Sequence, residues 1–295
     1  MIIVMQKQAS EQSITTVVQL IREHGLHEHI SRGIERTIIG AVGDERVFLP
    51  EEFEALPQVE RAMRVVNEWR IVGREVKKED TVIKIKGVSF GGDSFLTILS
   101  NPINEEEIIK AHALYLDLIE ADTKFSIYQQ KELVNQEYML HTLFDKAHHH
   151  NKPVLFHLRD IRQLDMALKY GVDMLYLGAE FIGNRLLLDE VRQLNIPLVL
   201  EKGRQHTAYE SLLSAEYIAL GGNHQLLFCE SGTLHFDPQQ PLRLDIEAIL
   251  TLKAQSHLPV LVNTLSLGSK DVTPEHLHKI IKITGANGVL YKRKN

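Results

Sequence analysis

Four short runs decide the fold of this chain: PVLFH at residues 153–157, DMLYL at 173–177, PLVLE at 197–201 and QLLFC at 225–229. Each run is mostly apolar and has the size of one buried β-strand. The intervals between them show the apolar spacing of helices, as from Tyr209 to Leu220. Buried strands that alternate with helices are typical of a parallel sheet with helices packed against it, so these runs predict an α/β fold.

Four more runs of the same kind extend the series in both directions along the chain. They are FLTIL at residues 95–99, KFSIY at 124–128, PVLVN at 259–263 and NGVLY at 287–291. Eight strands separated by seven helical intervals predict a closed (β/α)8 TIM barrel over residues 95–295 rather than an open sheet. The chain ends four residues after the eighth run, so we expect the barrel to lack its last outer helix.

The residues before the barrel have a different order of elements. That order is a strand at 2–5, a helix after Ser10, strands at 27–31 and 37–43, a short helix after Pro50 and a strand at 62–66. The pattern βαββαβ predicts a ferredoxin-like domain over residues 1–70. Residues 71–94 connect the two parts, and the stretch EDTVIKIKGVSFGGDSF (79–95) is expected to form a hairpin that plugs the lower end of the barrel.

Composition and charge exclude several classes of protein. With 44% hydrophobic and 24% charged residues among 295, the chain has an ordinary globular composition. A single cysteine, Cys229, excludes an intrachain disulfide, and the start MIIVMQKQ lacks the pattern of a secretory signal, so we expect a cytoplasmic protein. No apolar stretch approaches the ~18 residues of a membrane span. The net charge of −6, without a dense basic stripe, argues against nucleic-acid binding.

Several stretches together resemble one enzyme family. They are HISRGIERTIIGAVGDER (29–46), LPQVERAMRVV (56–66), GREVKKEDTVIKIKGV (73–88) and SAEYIALGGN (214–223). They are similar to the DAHP synthases that carry an N-terminal ferredoxin-like domain. The resemblance implies condensation of phosphoenolpyruvate with erythrose 4-phosphate at the head of the shikimate pathway. It also implies an N-terminal domain that binds aromatic end products and controls access to the barrel.

The metal ligands that this resemblance implies are missing from the sequence. The family binds a divalent metal through a cysteine, a histidine, a glutamate and an aspartate. Where its Ala-Gly-Pro-Cys run provides the cysteine, this chain reads SNPI and ends that run at Ile103. The histidine position holds Ser266, the glutamate position holds Lys292, and the aspartate position lies beyond the last residue. A cation at a ligand position repels a metal ion, so we expect no metal cofactor.

The cations that the resemblance implies for phosphate binding are also replaced. The segments compared are 126–131 after the second predicted strand, 178–181 after the fourth, 200–203 at the fifth and 229–234 at the sixth. At two of these places a family cation becomes a carboxylate, in Glu180 and Glu201. Each reversal of this kind costs on the order of 1–4 kcal/mol for a bound anion. We therefore expect the family reaction to be lost.

Other polar residues remain at the predicted strand ends, which converge on one mouth in a closed barrel. Candidate catalytic residues are Lys202, as a Schiff-base or phosphate-contact lysine, with Glu230 and His157 as acid or base. Candidate ligand-binding residues are Arg159, Glu180, Glu201 and His235. A mouth released from catalysis also collects polar side chains because it faces water, and we favour this interpretation.

These observations favour a homologue without catalysis that senses a small ligand or modulates a partner. We expect a homo-oligomer, or a hetero-oligomer with an active synthase of the family. One alternative is an enzyme of altered aldolase or lyase chemistry that uses the polar mouth. The other is a DAHP synthase with weak residual activity.

Overall fold

The molecule consists of a small sheet domain packed beside a closed barrel. The structure is a computed structural model, and it describes residues 1–33, 36–42, 49–63, 68–102, 104–117, 132–238, 242–268 and 272–292, with the backbone alone for 132–140.

The N-terminal domain has the predicted βαββαβ order. Its elements are β1 (Ile2–Met5), α1 (Glu11–Glu23), β2 (His27–Arg32), β3 (Thr37–Val42), α2 (Pro50–Glu54) and β4 (Val59–Met63). The strands form an antiparallel sheet in the order β2-β3-β1-β4. The Ser10 hydroxyl accepts a hydrogen bond from the Ser13 N–H and so caps α1, which is the capping role that this residue type fills best. The ferredoxin-like fold is confirmed, although its last strand begins three residues earlier than predicted.

The two faces of this sheet have different partners. Ile3 and Met5 point to one face and share a buried cluster with Val17 and Ile21 of α1. Ile2 and Val4 alternate to the other face, where a smaller cluster packs around them. The second face is turned toward the barrel, since Ile38 of β3 contacts both this cluster and the main core of the barrel.

Eight parallel strands close the barrel. They are β7 (Leu96–Ser100), β8 (Ala113–Leu116), β9 (Val154–Leu158), β10 (Met174–Leu177), β11 (Leu198–Lys202), β12 (Leu226–Glu230), β15 (Val260–Asn263) and β16 (Gly288–Tyr291). The (β/α)8 fold is confirmed, but the predicted second strand is wrong: β8 fills that place, and 124–128 lies outside the described residues. The run ALYL (113–116) is apolar and fully buried, as an interior strand of the barrel requires.

In the described part of the chain, seven α-helices lie between these strands. They are α3 (Glu105–Lys110), α4 (Glu132–His149), α5 (Leu164–Lys169), α6 (Arg185–Val191), α7 (Ala208–Leu220), α8 (Ile246–Gln255) and α9 (Pro274–Ile283). A short ribbon of β13 (Thr233–Leu234) and β14 (Leu242–Arg243) lies between β12 and α8. No described residue forms an eighth outer helix, because only Lys292 follows β16 in the described part. Across the described residues, no helix is both long and apolar enough to cross a membrane.

The predicted hairpin closes one end of the barrel. It is formed by β5 (Val82–Ile85) and β6 (Val88–Gly91). Ile83 and Phe90 are buried in the same cluster as the inward-facing side chains of the barrel strands. The Asn287 side chain donates a hydrogen bond to the Gly92 carbonyl just before β16 begins, which places the hairpin at the amino ends of the strands. The mouth at the carboxyl ends is therefore the end that a ligand can reach.

Replacing Phe90 by alanine tests this plug. Phe90 is fully buried, so the cavity left by Phe90→Ala should lower the free energy of unfolding by about 3–5 kcal/mol. Val82 lies on the same hairpin but is 45% exposed, and Val82→Ala should change the free energy by less than about 0.5 kcal/mol. Urea denaturation followed by circular dichroism measures both. Equal losses in the two variants would show that the hairpin does not plug the barrel.

Candidate functional site

Strand alternation separates the polar residues of the barrel into two groups. Val199 lies in the cluster inside the barrel, whereas Leu198 and Leu200 pack in the cluster between the barrel and its helices. Because side chains alternate along a strand, Glu201 points into the barrel and Lys202 points to its outer side. The predicted convergence of all the strand-end residues on one mouth therefore holds for only part of the set.

Asp117 is the centre of the inward group. It directly follows β8 and is 1% exposed. The Arg159 guanidinium lies 2.6 Å from its Oδ2, and His157 Nδ1 lies 3.3 Å from the same oxygen. Asn101 fixes its backbone, since the Asn101 side chain accepts from the Asp117 N–H and donates to the Asp117 carbonyl, both at 3.1 Å. A buried carboxylate is thus held from three directions.

These contacts decide the ionisation of Asp117. Burial by itself opposes its charged form, but hydrogen bonds from His157 and Arg159 outweigh burial and hold the pKa of Asp117 well below its ordinary value. Burial likewise opposes the charge of Arg159, yet the hydrogen bond to Asp117 and the charges of Asp117 and its neighbours together outweigh burial and raise the Arg159 pKa. The two groups form a stable ion pair, so the charge of Arg159 is already balanced within the protein.

His157 lies inside the barrel, and its two ring nitrogens have different surroundings. Its Nδ1 contacts the Tyr115 hydroxyl and Asp117, and its ring packs 4.7 Å from the ring of Tyr176. His157 is 2% exposed, and its Nε2 has no hydrogen-bond partner among the described residues.

A row of charged groups lies one level above His157. Extending the registers of β9, β10 and β11 by one residue places Arg159, Gly178 and Glu201 side by side. Gly178 has no side chain, and the Glu180 carboxylate folds back into the place that a Cβ at Gly178 would need. The row therefore contains Arg159, the Glu180 carboxylate and Glu201 on neighbouring strands, which are about 4.8 Å apart.

Lys202 and Glu230 form a separate buried group beneath the start of α8. Lys202 Nζ lies 3.2 Å from Asp245 Oδ2 and 3.9 Å from Glu230 Oε1, without the angles of a hydrogen bond. The Gly232 N–H donates to Glu230 Oε1. Burial raises the pKa of Glu230 to about 7, although the charge of Lys202 opposes this shift. The structure does not bring this pair to the mouth.

His235, the last candidate, is also outside the mouth group. It lies beyond β13 and is partly exposed, and its ring lies 4.1 Å from the exposed ring of Phe236. Its Nδ1 accepts a hydrogen bond from the Asp237 N–H. Both contacts of His235 are therefore with residues of the segment that joins β13 to β14.

The positions expected to hold metal ligands do not provide a suitable donor set. Ser266 and Lys292 are exposed, and Ile103 lies outside the described residues. A hydroxyl and an ammonium group do not replace imidazole and carboxylate as ligands of a divalent metal. Within the described part of the chain, no group of three or more His, Cys, Asp or Glu side chains has the arrangement of a metal site. The absence of a metal cofactor stays a prediction.

A cavity of about 370 Å³ lies between the N-terminal sheet and the barrel. Its lining comes from the open face of the sheet, the connecting segment and α7: Ile2, His29, Ser31, Ile38, Gly40, Val42, Glu68, Arg70, Ile71, Glu216 and Leu220. Glu216 is buried, and burial raises its pKa despite hydrogen bonds from the backbone N–H groups of residues 71 and 72. The Ser31 hydroxyl is hydrogen-bonded to His224 Nε2 at 3.0 Å and so ties the sheet to the barrel.

The sequence missed three residues of these sites. Asp117 is not among the predicted residues because the sequence predicts the second strand at 124–128, although a carboxylate directly after an apolar run is a visible signal. Asp245 was overlooked because its role as the N-cap of α8 is the ordinary one for aspartate. His29 reads as a surface residue, whereas the structure places it at the cavity.

Comparison with known proteins gives consistent results over both parts of the chain. Residues 1–67 match the family described as "DAHP synthase ferredoxin-like domain", and residues 120–289 match the "DAHP synthetase I family". The phospho-2-dehydro-3-deoxyheptonate aldolase of Thermotoga maritima is 32% identical over 300 residues, covering 98% of this chain and 88% of the relative.

Solved structures show the same similarity. A crystal structure of phospho-2-dehydro-3-deoxyheptonate aldolase (DAHP synthase) from Thermotoga maritima has a TM-score of 0.67 and 30% identity, and the match covers 99% of this chain and 86% of that one. A truncated form of 3-deoxy-D-arabino-heptulosonate 7-phosphate synthase from the same organism has a TM-score of 0.64 and 27% identity, covering 77% and 85%. An N-acetylneuraminic acid synthetase from Leptospira borgpetersenii, at 16% identity and a TM-score of 0.54 over 73% and 79%, shows only the fold.

The raised pKa of Glu230 predicts a pH-dependent stability. The unfolded carboxyl group ionises near its ordinary pKa of 4.5 and the folded one near about 7, so raising the pH through this window favours unfolding. Between about pH 5 and about pH 8, the wild type should lose on the order of 1–3 kcal/mol relative to Glu230→Gln, which has no proton to release. Urea denaturation at several pH values measures the difference. Parallel profiles for the two proteins would contradict the assignment.

Proposed function

The chain belongs to the DAHP synthase family, and we propose that it is a member that has lost the condensation reaction and acts by binding a small ligand or a partner protein. The observation that carries this proposal is the charge arrangement at the carboxyl ends of β8 to β11. Catalysis by the family, as the resemblance implies it, needs cations there that are free to hold phosphate and carboxylate groups of the substrates.

Among the residues that the structure describes, the inward row does not supply free cations. Arg159 is held at 2.6 Å by buried Asp117, which leaves its charge balanced before any substrate arrives. Glu180 and Glu201 add two carboxylates to the same row. Lys202 provides a positive charge only on the outer side of the wall, where Asp245 and Glu230 surround it. A phosphorylated anion would be repelled at this row rather than bound.

The corrected second strand strengthens this conclusion. The resemblance implies a basic run after that strand, beginning with arginine. In this chain the residue directly after β8 is Asp117, and it is buried and ionised. A position expected to attract phosphate therefore holds a carboxylate, and its charge is balanced by Arg159 inside the protein.

Loss of the metal is the second part of the proposal. In the family the metal activates the aldehyde substrate, a Lewis-acid contribution of several kcal/mol. Ser266 and Lys292 at two ligand positions do not fit a divalent cation, and Lys292 brings a positive charge to the strand end. Ser266 and Lys292 are therefore not suited to hold a metal that would activate the aldehyde.

The cavity beside the sheet supports ligand binding by the N-terminal domain. Its volume of about 370 Å³ suits a molecule of the size of an amino acid, and its lining is largely apolar. His29, Glu68 and Arg70 supply a few polar groups at its wall. The resemblance implies that this domain in the family binds aromatic end products, so an aromatic amino acid is the ligand we propose.

A partner role is the remaining part of the proposal. A family member without activity can still assemble with an active synthase and pass on the state of its own ligand site. We propose a homo-oligomer, or a hetero-oligomer with such a synthase, in the cytoplasm. The alternative of Schiff-base chemistry at Lys202 gains no support, because Lys202 is 1% exposed and points away from the mouth.

A direct assay tests the loss of the reaction. Purified protein mixed with phosphoenolpyruvate, erythrose 4-phosphate and Mn²⁺ should form no DAHP, because neither substrate finds its cations. The Thermotoga maritima relative, assayed in parallel at the same protein concentration, is the positive control. Turnover that depends on the protein and rises with its concentration would overturn the proposal.

Filling the cavity tests the ligand site. Calorimetric titration with phenylalanine and tyrosine should show binding to the wild type and a loss of at least about tenfold in Gly40→Val. A Cβ at Gly40 has ordinary contacts, 3.6 Å from the nearest atom, so the variant is expected to fold. Unchanged thermal unfolding of Gly40→Val serves as the control for folding. If the wild type binds neither amino acid and does not associate with an active family synthase, the sensing role is excluded.

A further inference from the structure

We propose that two copies of this chain associate through the groove between α8 and α9. The walls of this groove are Ile246 and Leu250 on α8, and Ile280 and Ile283 on α9. The inference rests on the homo-oligomer proposed above and names the surface that forms it. It does not depend on whether the condensation reaction is lost.

One flank of α8 faces α9. Ile246, Leu250 and Lys253 lie on this flank, since they are spaced four and three residues apart. The Lys253 ammonium group pairs with Asp80 at 3.2 Å and donates a hydrogen bond to the side chain of Asn287, just before β16. In the barrel β16 follows β15, and α9 connects these two strands. The flank that carries Ile246 and Leu250 is therefore the one turned toward α9.

Two contacts show which flank of α9 faces away from α8. Lys282 Nζ lies 6.0 Å from the centre of the Phe95 ring, just before β7, and the His278 ring lies 5.7 Å from the ring of Tyr291 in β16. Residues two apart on a helix point about 200° apart around its axis. Ile280 is two residues from both His278 and Lys282, so it lies on the opposite flank, toward α8.

The two walls of the groove leave apolar side chains in contact with solvent. The exposed fraction is 41% for Ile246 and 50% for Leu250 on one wall. On the other wall it is 39% for Ile280 and 86% for Ile283, which follows one turn later. Single exposed apolar side chains are normal, but a group of them on two neighbouring helices is typical of a surface that binds another protein.

The charges beside the groove indicate that this other protein is a second copy. Glu247 lies beside the apolar pair of α8, and Lys279 lies beside that of α9. Both side chains are exposed, and neither has an ion-pair partner among the described residues. Glu275 is on the far flank of α9, where its charge acts on His278. One wall of the groove is thus acidic and the other is basic.

A two-fold axis along the groove makes such a surface complementary to itself. Rotation about this axis places α8 of one copy over α9 of the other, and the second contact is identical to the first. Glu247 of each copy then faces the helix that carries Lys279 in the other copy. The apolar side chains of the two grooves cover each other between these charge pairs, so the groove supplies both halves of its own partner.

Charges placed in the apolar part of the groove test the surface. The wild type should dimerise in sedimentation velocity over a dilution series. Leu250→Glu and Ile280→Glu should each raise the dimer Kd by at least about 30-fold, because every dimer then buries two unpaired carboxylates. Leu186→Glu, at an exposed position of α6, should leave the Kd unchanged. Circular dichroism and thermal unfolding confirm that all three variants are folded.

Mixing two charge variants tests the arrangement. Glu247→Lys and Lys279→Glu should each weaken self-association by about tenfold, because each homodimer then contains two pairs of like charge. A mixture of the two variants should recover the wild-type Kd to within about threefold, since both pairs of the mixed dimer are again opposite. A charge pair within one copy cannot give this recovery.

The outcomes separate this inference from the proposals beneath it. A dimer that Leu250→Glu does not weaken, or a mixture that associates no better than its components, refutes the groove and leaves the homo-oligomer. A wild type that stays monomeric refutes both, while the ligand site and the loss of the reaction are judged by their own assays. A monomer that binds an active family synthase through Leu250 and Ile280 assigns the groove to that partner and also overturns the inference.

Discussion

Closure of the parallel sheet into a barrel is the constraint on which the rest of the structure depends. In a closed barrel each strand sends alternate side chains to the interior and to the helices, so neighbours in sequence are separated by the wall. Glu201 and Lys202 follow each other in the chain, yet one faces the mouth and the other lies under α8. The mouth therefore receives the carboxylate without the lysine. Along the sequence the strand ends carry both acidic and basic residues. In the barrel, the carboxylates of Glu180 and Glu201 lie together at the ends of β10 and β11.

The buried pairing of Asp117 with Arg159 gives this constraint its chemical meaning. An arginine at a strand end is suited to bind phosphate, but the Asp117 carboxylate, 2.6 Å away, already neutralises the charge of Arg159. His157 contacts the same carboxylate, and its Nε2 has no hydrogen-bond partner among the described residues. The scaffold of the family is kept, while Glu180 and Glu201 stand where the resemblance implies cations. This is why similarity of fold and sequence shows the family but leaves the reaction to be judged from the site.

Elements that line the cavity beside the N-terminal sheet are continuous in sequence with strands that end at the barrel mouth. Helix α7 lines the cavity beside the N-terminal sheet, and it directly follows β11, which carries Glu201. The side chain of His224 is hydrogen-bonded to Ser31 of the sheet. His224 lies just before β12, and Cys229 of β12 is paired with Glu201 of β11. The buried Glu216 carboxylate accepts hydrogen bonds from two backbone N–H groups of the connecting segment. The N-terminal domain thus contacts the end of α7 and the segment before β12, at the amino ends of the barrel strands and not at the mouth.

The sequence by itself determined both folds, the hairpin plug and the replacement of the cations at Glu180, Glu201, Ser266 and Lys292. Apolar periodicity and turn residues are local, and a substituted ligand is visible without coordinates. Only the tertiary structure showed that β8, rather than residues 124–128, is the second strand, and that Asp117 therefore sits at the mouth. It also decided that Lys202 and Glu230 lie outside the wall and that a cavity separates the sheet from α7. The physical reason is that strand parity, register and domain contact arise from pairing between distant segments, which no local pattern records.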